Sequence, residues 1–425
     1  MSSYEKVKII IIAPFWGKSD YIGRYRVERI VRWLTSDNYN VSVIWSGMED
    51  NIIEKDKWIE LEIRDPLRRF TRRVNDQYSD RTNNEQSTRK RNFRYFIQKI
   101  VFYFDRDLVW SLVLINKSIV KNFCKDAEYI ISSSPPESIH LASHLLSKKF
   151  NLKLIVDMRD GWLDEPMRPN IGKHSFKRMI EAKCEFMVLK QASVIFVTST
   201  NWADMLKHRI PITDNKVTIL TNAYPVDLNI PDYQPNREKL SNISLLHAGR
   251  FLGTRCTNRM SILLEPLCNI LKSKNELAAE IILLGDLLKN DFEELKYWKQ
   301  QFINTRTRVS TKNRMPRNEM YAELAKADGL LLLAATKAFF PSKTFEYIKS
   351  AKPILAVTSK GSTIWEIGQN LPQMFLYDFT IKKPDYTPIE EFLNACQTGI
   401  YEHDIPKEYS EKYLSKIFLD TIKNV

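Results

Sequence analysis

The sequence predicts an α/β protein built from two doubly wound parallel sheets. Three observations support this fold class: short apolar runs, amphipathic stretches between them, and a repeat of the same pattern in the second half of the chain. The apolar runs are continuous rather than alternating. Continuous runs are typical of strands buried on both faces, as in a parallel sheet with helices on each side. The pattern therefore predicts a doubly wound architecture in each half.

The first half begins with the strand-like run VKIIIIA at 7–13. Residues 24–35 follow with apolar side chains at helical spacing, which predicts an amphipathic helix. The further predicted strands of this half are 40–45, 129–132, 152–157 and 193–199.

The second half follows a stretch that contains Pro225, Pro231 and Pro235. Prolines clustered in this way are typical of a linker, so we place a domain boundary here, with domains at 1–212 and 213–408. The predicted strands of the second half are 244–250, 280–286, 308–310, 328–334 and 352–357.

Composition excludes several classes of protein. The 425 residues are 44% hydrophobic and 27% charged, which excludes disorder as the main state. No apolar run approaches the ~20 residues of a membrane span, and the N-terminus lacks a secretory leader pattern. The five cysteines share no CxxC spacing, which predicts a reduced, cytoplasmic protein with no zinc site. Neither GxGxxG nor GxxxxGK[ST] occurs.

The net charge of +13 is uneven along the chain. Residues 1–210 carry 36 basic and 26 acidic side chains, and residues 64–99 alone carry 11 and 4. Three interpretations of this basic stretch compete: a solvated loop, a contact with an anionic membrane surface, and nucleic-acid binding. The last is the weakest, because no nucleic-acid-binding motif accompanies the charge.

Ligands of doubly wound domains bind beyond the carboxyl ends of the strands, so residues at these positions are the candidates. Small hydroxyls before a helix can bind ligand oxygens or simply cap the helix, and capping is favoured. Carboxylates after the buried strand 152–157 can orient or deprotonate a hydroxyl nucleophile, or pair with the neighbouring arginine to fix the loop. The candidates in the first half are Gly17, Arg24 and Arg26, then Ser134 and His140, then Asp157, Arg159 and Asp160.

Two clusters follow strands of the second half. In the first, Arg250 and Arg255 lie among glycines, where the backbone is open and the guanidinium groups can neutralise phosphates. In the second, Pro341 and Ser342 predict a helix start, whose free N–H groups suit a diphosphate. Lys343 adds a cation there, and Glu346 lies one turn further, where it can accept hydrogen bonds from a ribose diol.

The tripeptide Asp105-Arg106-Asp107 matches a D-x-D metal motif. It precedes an apolar helical run, so we favour acids at a helix start.

Together these motifs resemble GT-B glycosyltransferases, and glycosyltransferase family 4 in particular. The resemblance rests on PSKTFEY (341–347) with KPILA (352–356), and on SSPPESIH (133–140) with DMRDGW (157–162) and VTST (197–200). HAGRFLG and ILLGD complete the order, so the resemblance spans essentially the whole chain.

The resemblance implies two Rossmann-like domains that face a central cleft. The C-terminal domain would bind a nucleotide-diphosphate sugar of UDP or GDP type, and the N-terminal domain would bind the acceptor. A last helix at 409–425 would pack back on the first domain. No metal or other cofactor would be needed, and transfer would retain the anomeric configuration.

Carried onto this chain, Glu346 matches the second acid of the family's E-x7-E pattern, whereas Ala338 replaces the first. The implied donor-binding residues are Arg250, Arg255, Ser342, Lys343, Thr344 and Glu346. Asp160, with Asp157 as the alternative, stands where the family places a catalytic group. Gly17, Arg24, Arg26, Ser134, His140 and Arg159 are the implied acceptor-binding residues.

The sequence therefore predicts a cytoplasmic glycosyltransferase of surface polysaccharide synthesis, such as capsule, O-antigen or exopolysaccharide. Its acceptor would be a glycan or a lipid-linked saccharide, and residues 64–104 would dock it on the inner face of an anionic membrane. Two alternatives remain: a sugar-nucleotide 2-epimerase of the same fold, and a non-catalytic GT-B protein, which Ala338 favours. No nucleic-acid partner is expected.

Overall fold

The structure is a computed structural model. It describes residues 6–18, 22–68, 105–164, 176–212, 214–225, 228, 241–251, 259–274, 276–337 and 340–425.

The first sheet has eight strands. They are β1 (Lys8–Ile12), β2 (Asn40–Gly47), β3 (Asn51–Glu54), β4 (Trp58–Arg64), β5 (Tyr129–Ser134), β6 (Lys153–Met158), β7 (Val194–Val197) and β8 (Val217–Ile219). Their order is β3-β4-β2-β1-β5-β6-β7-β8, and every pair except β3–β4 is parallel. The central part of this order is that of a doubly wound dinucleotide-type sheet.

Helices cover both faces of the first sheet. They are α1 (Ile22–Ser36), α2 (Leu108–Leu114), α3 (Ser118–Lys125), α4 (Ser138–Phe150), α5 (Phe176–Gln191) and α6 (Thr200–Arg209). Alternate residues of β1 serve the two faces. Ile9 and Ile11 pack in a cluster with α1, whereas Ile10 and Ile12 pack in the cluster that contains α4, α5 and α6. This double burial is why the strand sequence is apolar without alternation.

The second sheet has six strands, all parallel. They are β9 (Asn242–Ala248), β10 (Ala278–Leu284), β11 (Thr307–Lys312), β12 (Gly329–Ala334), β13 (Ile354–Thr358) and β14 (Met374–Asp378). Their order is β11-β10-β9-β12-β13-β14, which again matches the doubly wound order. The helices of the second half of the chain are α7 (Met260–Ser273), α8 (Lys289–Gln301), α9 (Arg317–Lys326), α10 (Lys343–Lys349), α11 (Thr363–Gly368), α12 (Thr387–Thr398) and α13 (Glu411–Lys423).

The two parallel sheets confirm the predicted fold class. One departure is the strand β3, which pairs antiparallel with β4 as a short edge hairpin. Four observed strands were not predicted: β3, β4, β8 and β14. β4 carries Glu60 and Glu62 among its apolar residues, and β8 is three residues long, so neither presents a continuous apolar run.

The last helix, α13, returns to the first sheet. Its Phe418 ring stacks on Phe196 of β7 at a centroid distance of 5.1 Å. Glu411 forms ion pairs with Arg29 and Arg32 of α1, at 3.2 and 2.8 Å. The first sheet also reaches beyond residue 212, since β8 pairs with β7. The division at 212 and 213 stays a prediction.

The carboxyl ends of the two sheets face one another. Asn201 at the start of α6, after β7, donates a hydrogen bond of 3.1 Å to Thr363 at the start of α11, after β13. The guanidinium of Arg317, at the start of α9 after β11, lies 4.7 Å from the ring centroid of Tyr25 in α1. Each contact joins elements that follow strands, so a cleft lies between the two carboxyl edges. Within the described ranges, no helix combines the length and apolarity needed to cross a membrane.

Candidate functional site

The end of β9 and the start of α10 bring a lysine and a histidine together. Lys343 Nζ lies 3.5 Å from His247 Nε2, and His247 Nδ1 lies 2.9 Å from the Leu331 carbonyl oxygen. Gly249 follows β9 with φ +150°, and a Cβ there would lie 2.6 Å from Lys343 Nζ. The positive φ favours glycine at 249, and a Cβ there would displace the Lys343 ammonium from its position.

The protonation of this pair is set by burial. His247 is fully buried, and the loss of water, together with the charge of Lys343, lowers the pKa of its imidazole well below the usual value. Burial also lowers the pKa of the Lys343 ammonium to about 7, against the opposing charge of Glu346. His247 is thus a neutral ring, and Lys343 changes charge near neutral pH.

Glu346 lies one turn further along α10. Its carboxylate accepts hydrogen bonds from Arg317 Nη2 at 2.9 Å and Nε at 3.2 Å. Burial raises the pKa of Glu346, and Arg317 opposes that rise. Because Arg317 also covers the ring of Tyr25, the carboxylate sits where the two halves of the chain meet.

The side chains of the other candidate residues of the second half form no hydrogen bond or ion pair with Lys343 or His247 in the described part of the chain. Arg250 is exposed and pairs with Asp286 at 2.5 Å. Ser342 is the N-cap residue of α10 and is exposed, whereas Thr344 is fully buried with no hydrogen-bond partner for Oγ1 among the described residues. Arg255 and Ala338 lie outside the described residues.

In the first half, Asp157 and Arg26 form a buried ion pair. Arg26 Nη2 and Nε lie 2.7–3.0 Å from the carboxylate, and Ser133 Oγ donates to it at 2.6 Å. Burial alone would raise the pKa of Asp157, but Arg26 and Ser133 outweigh that effect and the pKa is lowered. Arg26 also donates to the Leu220 carbonyl oxygen at 2.9 Å. The pair therefore fastens β6 and α1 to the segment after β8.

This arrangement places Asp157 and Arg26 poorly for the catalytic and acceptor-binding roles that the sequence suggests. Asp157 is 0% exposed, and its oxygens are occupied by Arg26 and Ser133. A carboxylate held in this way has no open position for an acceptor hydroxyl. Local sequence does not predict the pair, because its two members are 131 positions apart.

The serines at the end of β5 do not cap α4. Ser132 Oγ lies 2.7 Å from His140 Nδ1, and Asp105 instead accepts from the Ser138 backbone N–H at 2.7 Å. Burial lowers the pKa of His140 to about 3, and its Nε2, like Ser134 Oγ, has no partner among the described residues. Both lie beneath the surface of the cleft rather than on it.

Asp160 lies two residues beyond the end of β6 and is half-buried. Unlike Asp157, it has no hydrogen bond or ion pair within the described part of the chain. Burial raises its pKa against the opposing charges of Arg159 and Arg26. Arg159 donates to the Ser134 carbonyl oxygen at 2.6 Å and lies 5.3 Å from the Phe15 ring centroid. Asp160 therefore suits a role as a proton acceptor better than Asp157 does.

The loop after β1 supplies the remaining candidates. Gly17 lies against Trp45, and a Cβ at this glycine would lie only 2.3 Å from that ring, so a larger residue would collide with it. Arg24 pairs with Glu28 at 2.6 Å and lies 5.6 Å from the Trp16 ring centroid.

The D-x-D tripeptide lies at a helix start. Asp107 is the N-cap residue of α2, and burial raises its pKa to about 6.

Two residues of the site were not singled out from the sequence. Arg317 follows the strand β11, and its position after a strand is the sequence signal for it. His247 lies in the HAGRFLG motif, which carries no separate signal for the histidine. The contacts that these two residues make join elements far apart in the chain, so local sequence predicts neither contact.

Within the described ranges, no group of three or more His, Cys, Asp or Glu side chains could hold a metal ion. Metal independence stays a prediction.

The basic segment 64–104, predicted to contact a membrane, is described only in part, since residues 69–104 lie outside the described residues.

No protein-family model matches this chain, and no curated protein is similar to it. Solved structures are similar over the whole chain. The lipopolysaccharide outer core galactosyltransferase WaaB, in its apo form, has a TM-score of 0.55 at 14% identity and covers 98% of this chain and 99% of its own. The sucrose-phosphate synthase of Thermosynechococcus elongatus has a TM-score of 0.61 at 10% identity, with 99% and 94% covered.

A third structure is Anabaena HepE in complex with UDP and glucose. Its TM-score is 0.55 at 12% identity, and the match covers 99% of this chain and 100% of that one. The TM-scores show that the chain has the GT-B fold that the sequence predicts, and at identities this low the similarity shows the fold alone. Membership of family 4 stays a prediction.

Proposed function

We propose that this protein is a glycosyltransferase that moves a sugar from a nucleotide-diphosphate sugar to an acceptor. One observation carries the proposal: Lys343 is half-buried at the cleft edge of the second sheet, and within the described residues it has no counterion. Among the described residues, no carboxylate lies within ion-pair distance of Lys343, and its polar neighbour is the neutral His247. A diphosphate would supply the negative charge that the cation lacks.

The chemistry follows from where charge develops. When the sugar leaves, negative charge grows on the diphosphate, and Lys343 would stabilise that charge most strongly in the transition state. Glu346 would accept hydrogen bonds from the ribose hydroxyls, which requires Arg317 to share or release the carboxylate. Asp160 would orient or deprotonate the acceptor hydroxyl from the opposite side of the cleft.

The similar structures support a nucleotide donor. HepE is described with UDP and glucose, and WaaB as a galactosyltransferase. We extend this to a donor of UDP or GDP type, bound by the 213–408 domain without a metal. We further propose retention of configuration and a glycan or lipid-linked acceptor in surface polysaccharide synthesis, at the cytoplasmic face of the membrane.

A thermal-shift panel of UDP, GDP, ADP and their sugar conjugates tests the donor site. A ligand at ~100 times its Kd adds ~2.7 kcal/mol of stability, which raises the melting temperature of a ~200-residue domain by roughly 5–10 °C. Glu346→Gln is expected to abolish most of that shift. Glu390→Gln, an exposed glutamate of α12, is the matched control and is expected to keep it.

The absence of a shift with every nucleotide would refute the donor site. A shift without transfer to any acceptor would instead favour the non-catalytic alternative. Conversion of the sugar nucleotide to its epimer, with no acceptor present, would identify a 2-epimerase.

A further inference from the structure

Helix α5 exposes an unusual face. Phe176 is 69% exposed and Met179 is 61% exposed, and the same stripe continues through Lys183, Phe186 and Met187. These positions recur at close to 3.6 residues, so they share one side of the helix. A solvent-facing stripe of an ordinary surface helix is polar, whereas this one alternates large apolar side chains with a lysine.

The acidic residues of α5 lie on the opposite side. Glu181 and Glu185 are both fully buried, and Glu185 is paired with Arg209 of α6. The outward stripe ends at Lys190, whose ammonium lies 5.6 Å from the Phe186 ring centroid. Within the described α5, the exposed positions therefore carry apolar and basic side chains and no acid.

The neighbouring helix extends the same character. α4 packs beside α5 on one face of the first sheet, and Gln191 of α5 donates to Ser147 of α4 at 2.9 Å. On its outer side α4 exposes Leu145, Lys148 and Lys149. The surface formed by α4 and α5 is thus apolar and positively charged together.

We propose that the outer face of α5, with the adjacent side of α4, docks this protein on an anionic lipid bilayer. Phenylalanine and methionine side chains insert at the boundary of headgroups and acyl chains, and lysines beside them contact anionic headgroups. A solvated protein face would gain nothing from exposed Phe176 and Met179. The lysines select a negatively charged lipid surface over a neutral one.

Vesicle co-sedimentation of the full chain tests the proposal. One set of vesicles is phosphatidylcholine, and the other is an equal mixture of phosphatidylcholine and phosphatidylglycerol. The protein is expected to pellet with the mixed vesicles alone, and high salt is expected to weaken that binding. No nucleotide is needed, so the result is independent of the proposed donor site.

Two double variants test the helix itself. K183E/K190E is expected to lower partitioning by at least about 25-fold, at about 5-fold for each lysine removed from the surface, with further repulsion from the added glutamates. F176S/M179S is expected to lower it by ~10-fold or more. All four side chains are exposed, so melting temperatures are expected to match that of the unmodified protein.

Matched controls lie on the second half of the chain. Ile303 and Ile400 are each 77% exposed, and I303S/I400S is expected to bind vesicles like the unmodified protein. Equal binding to both vesicle types would overturn the proposal. So would unchanged binding by both α5 variants, which would assign docking to another part of the chain, or a dimer that the α5 variants dissociate.

Discussion

Replacement of Lys343 by methionine is expected to stabilise the ligand-free protein while abolishing nucleotide binding. Methionine has nearly the same length and carries no charge, so it can fill the space beside His247 and Gly249. The wild-type lysine is half-buried, and its ammonium has no carboxylate contact among the described residues. The variant therefore removes a cost from the folded state and a cation from the donor site.

The size of this effect can be worked from the pKa. Burial lowers the pKa of Lys343 from 10.5 to about 7, and each pKa unit corresponds to ~1.36 kcal/mol. The folded state therefore disfavours the ammonium by about 5 kcal/mol below pH 7. Between pH 7 and 10.5 the unfolded chain binds more protons than the folded protein, so wild-type stability rises with pH in this window. At pH 9 the remaining cost is about 2 kcal/mol.

The assay compares melting temperatures of the two proteins at pH 7 and pH 9. The advantage of K343M is expected to shrink by about 2 kcal/mol between these values, which is roughly 4–8 °C for a domain of ~200 residues. Lys382 is exposed, and K382M is the matched control, for which no pH-dependent difference is expected. A K343M advantage that does not change with pH would refute the reasoning, because it would show that Lys343 stays charged in the folded protein and that its pKa is not lowered.

Two further predictions concern the frame around the cleft. Asp157→Asn leaves Arg26 buried without its counterion, so we expect it to lower the free energy of unfolding by about 3–5 kcal/mol, measured by thermal denaturation. The pKa of Asp157 is lowered in the folded state, so the stability that the pair gives the wild-type protein is expected to fall as acid protonates this carboxylate. Gly285→Ala places a Cβ 2.5 Å from the Gly249 carbonyl oxygen at a φ of +148°. The control Gly361→Ala meets open space at φ +72° and is expected to lose only the ~1–2 kcal/mol of left-handed strain. We expect Gly285→Ala to lower the free energy of unfolding by at least ~2 kcal/mol more than this control. Equal melting temperatures for the two alanine variants would contradict the close approach at Gly285.

The sequence predicts the strands that are buried on both faces. The run VKIIIIA becomes β1 because both sides of that strand pack against helices, which forces apolar residues at every position. β14, with the sequence MFLYD, also lies in a parallel sheet, but it is an edge strand and two of its five residues are only partly buried. Edge strands have one neighbour and fewer demands on their side chains, so their sequences carry less information about the fold.

The candidate site also has a part that the sequence predicts and a part that it does not. Lys343 and Glu346 lie on one turn of one helix, so a short motif is enough to select both. Their partners come from elsewhere: Arg317 precedes Glu346 by 29 positions, and His247 precedes Lys343 by 96. Contacts at such separations depend on the packing of whole sheets, which local spacing does not encode.

Asp157 and Lys343 have opposite surroundings. Asp157 has Arg26 and Ser133 around its oxygens, so its charge is neutralised within the protein and serves the frame. Lys343 has a neutral ring and a glycine beside its ammonium, and its pKa shows the resulting cost. A fold gains stability by pairing a buried charge, and leaving one unpaired is expected where a ligand completes the pair. This contrast is the physical reason for assigning ligand binding to Lys343 and a structural role to Asp157.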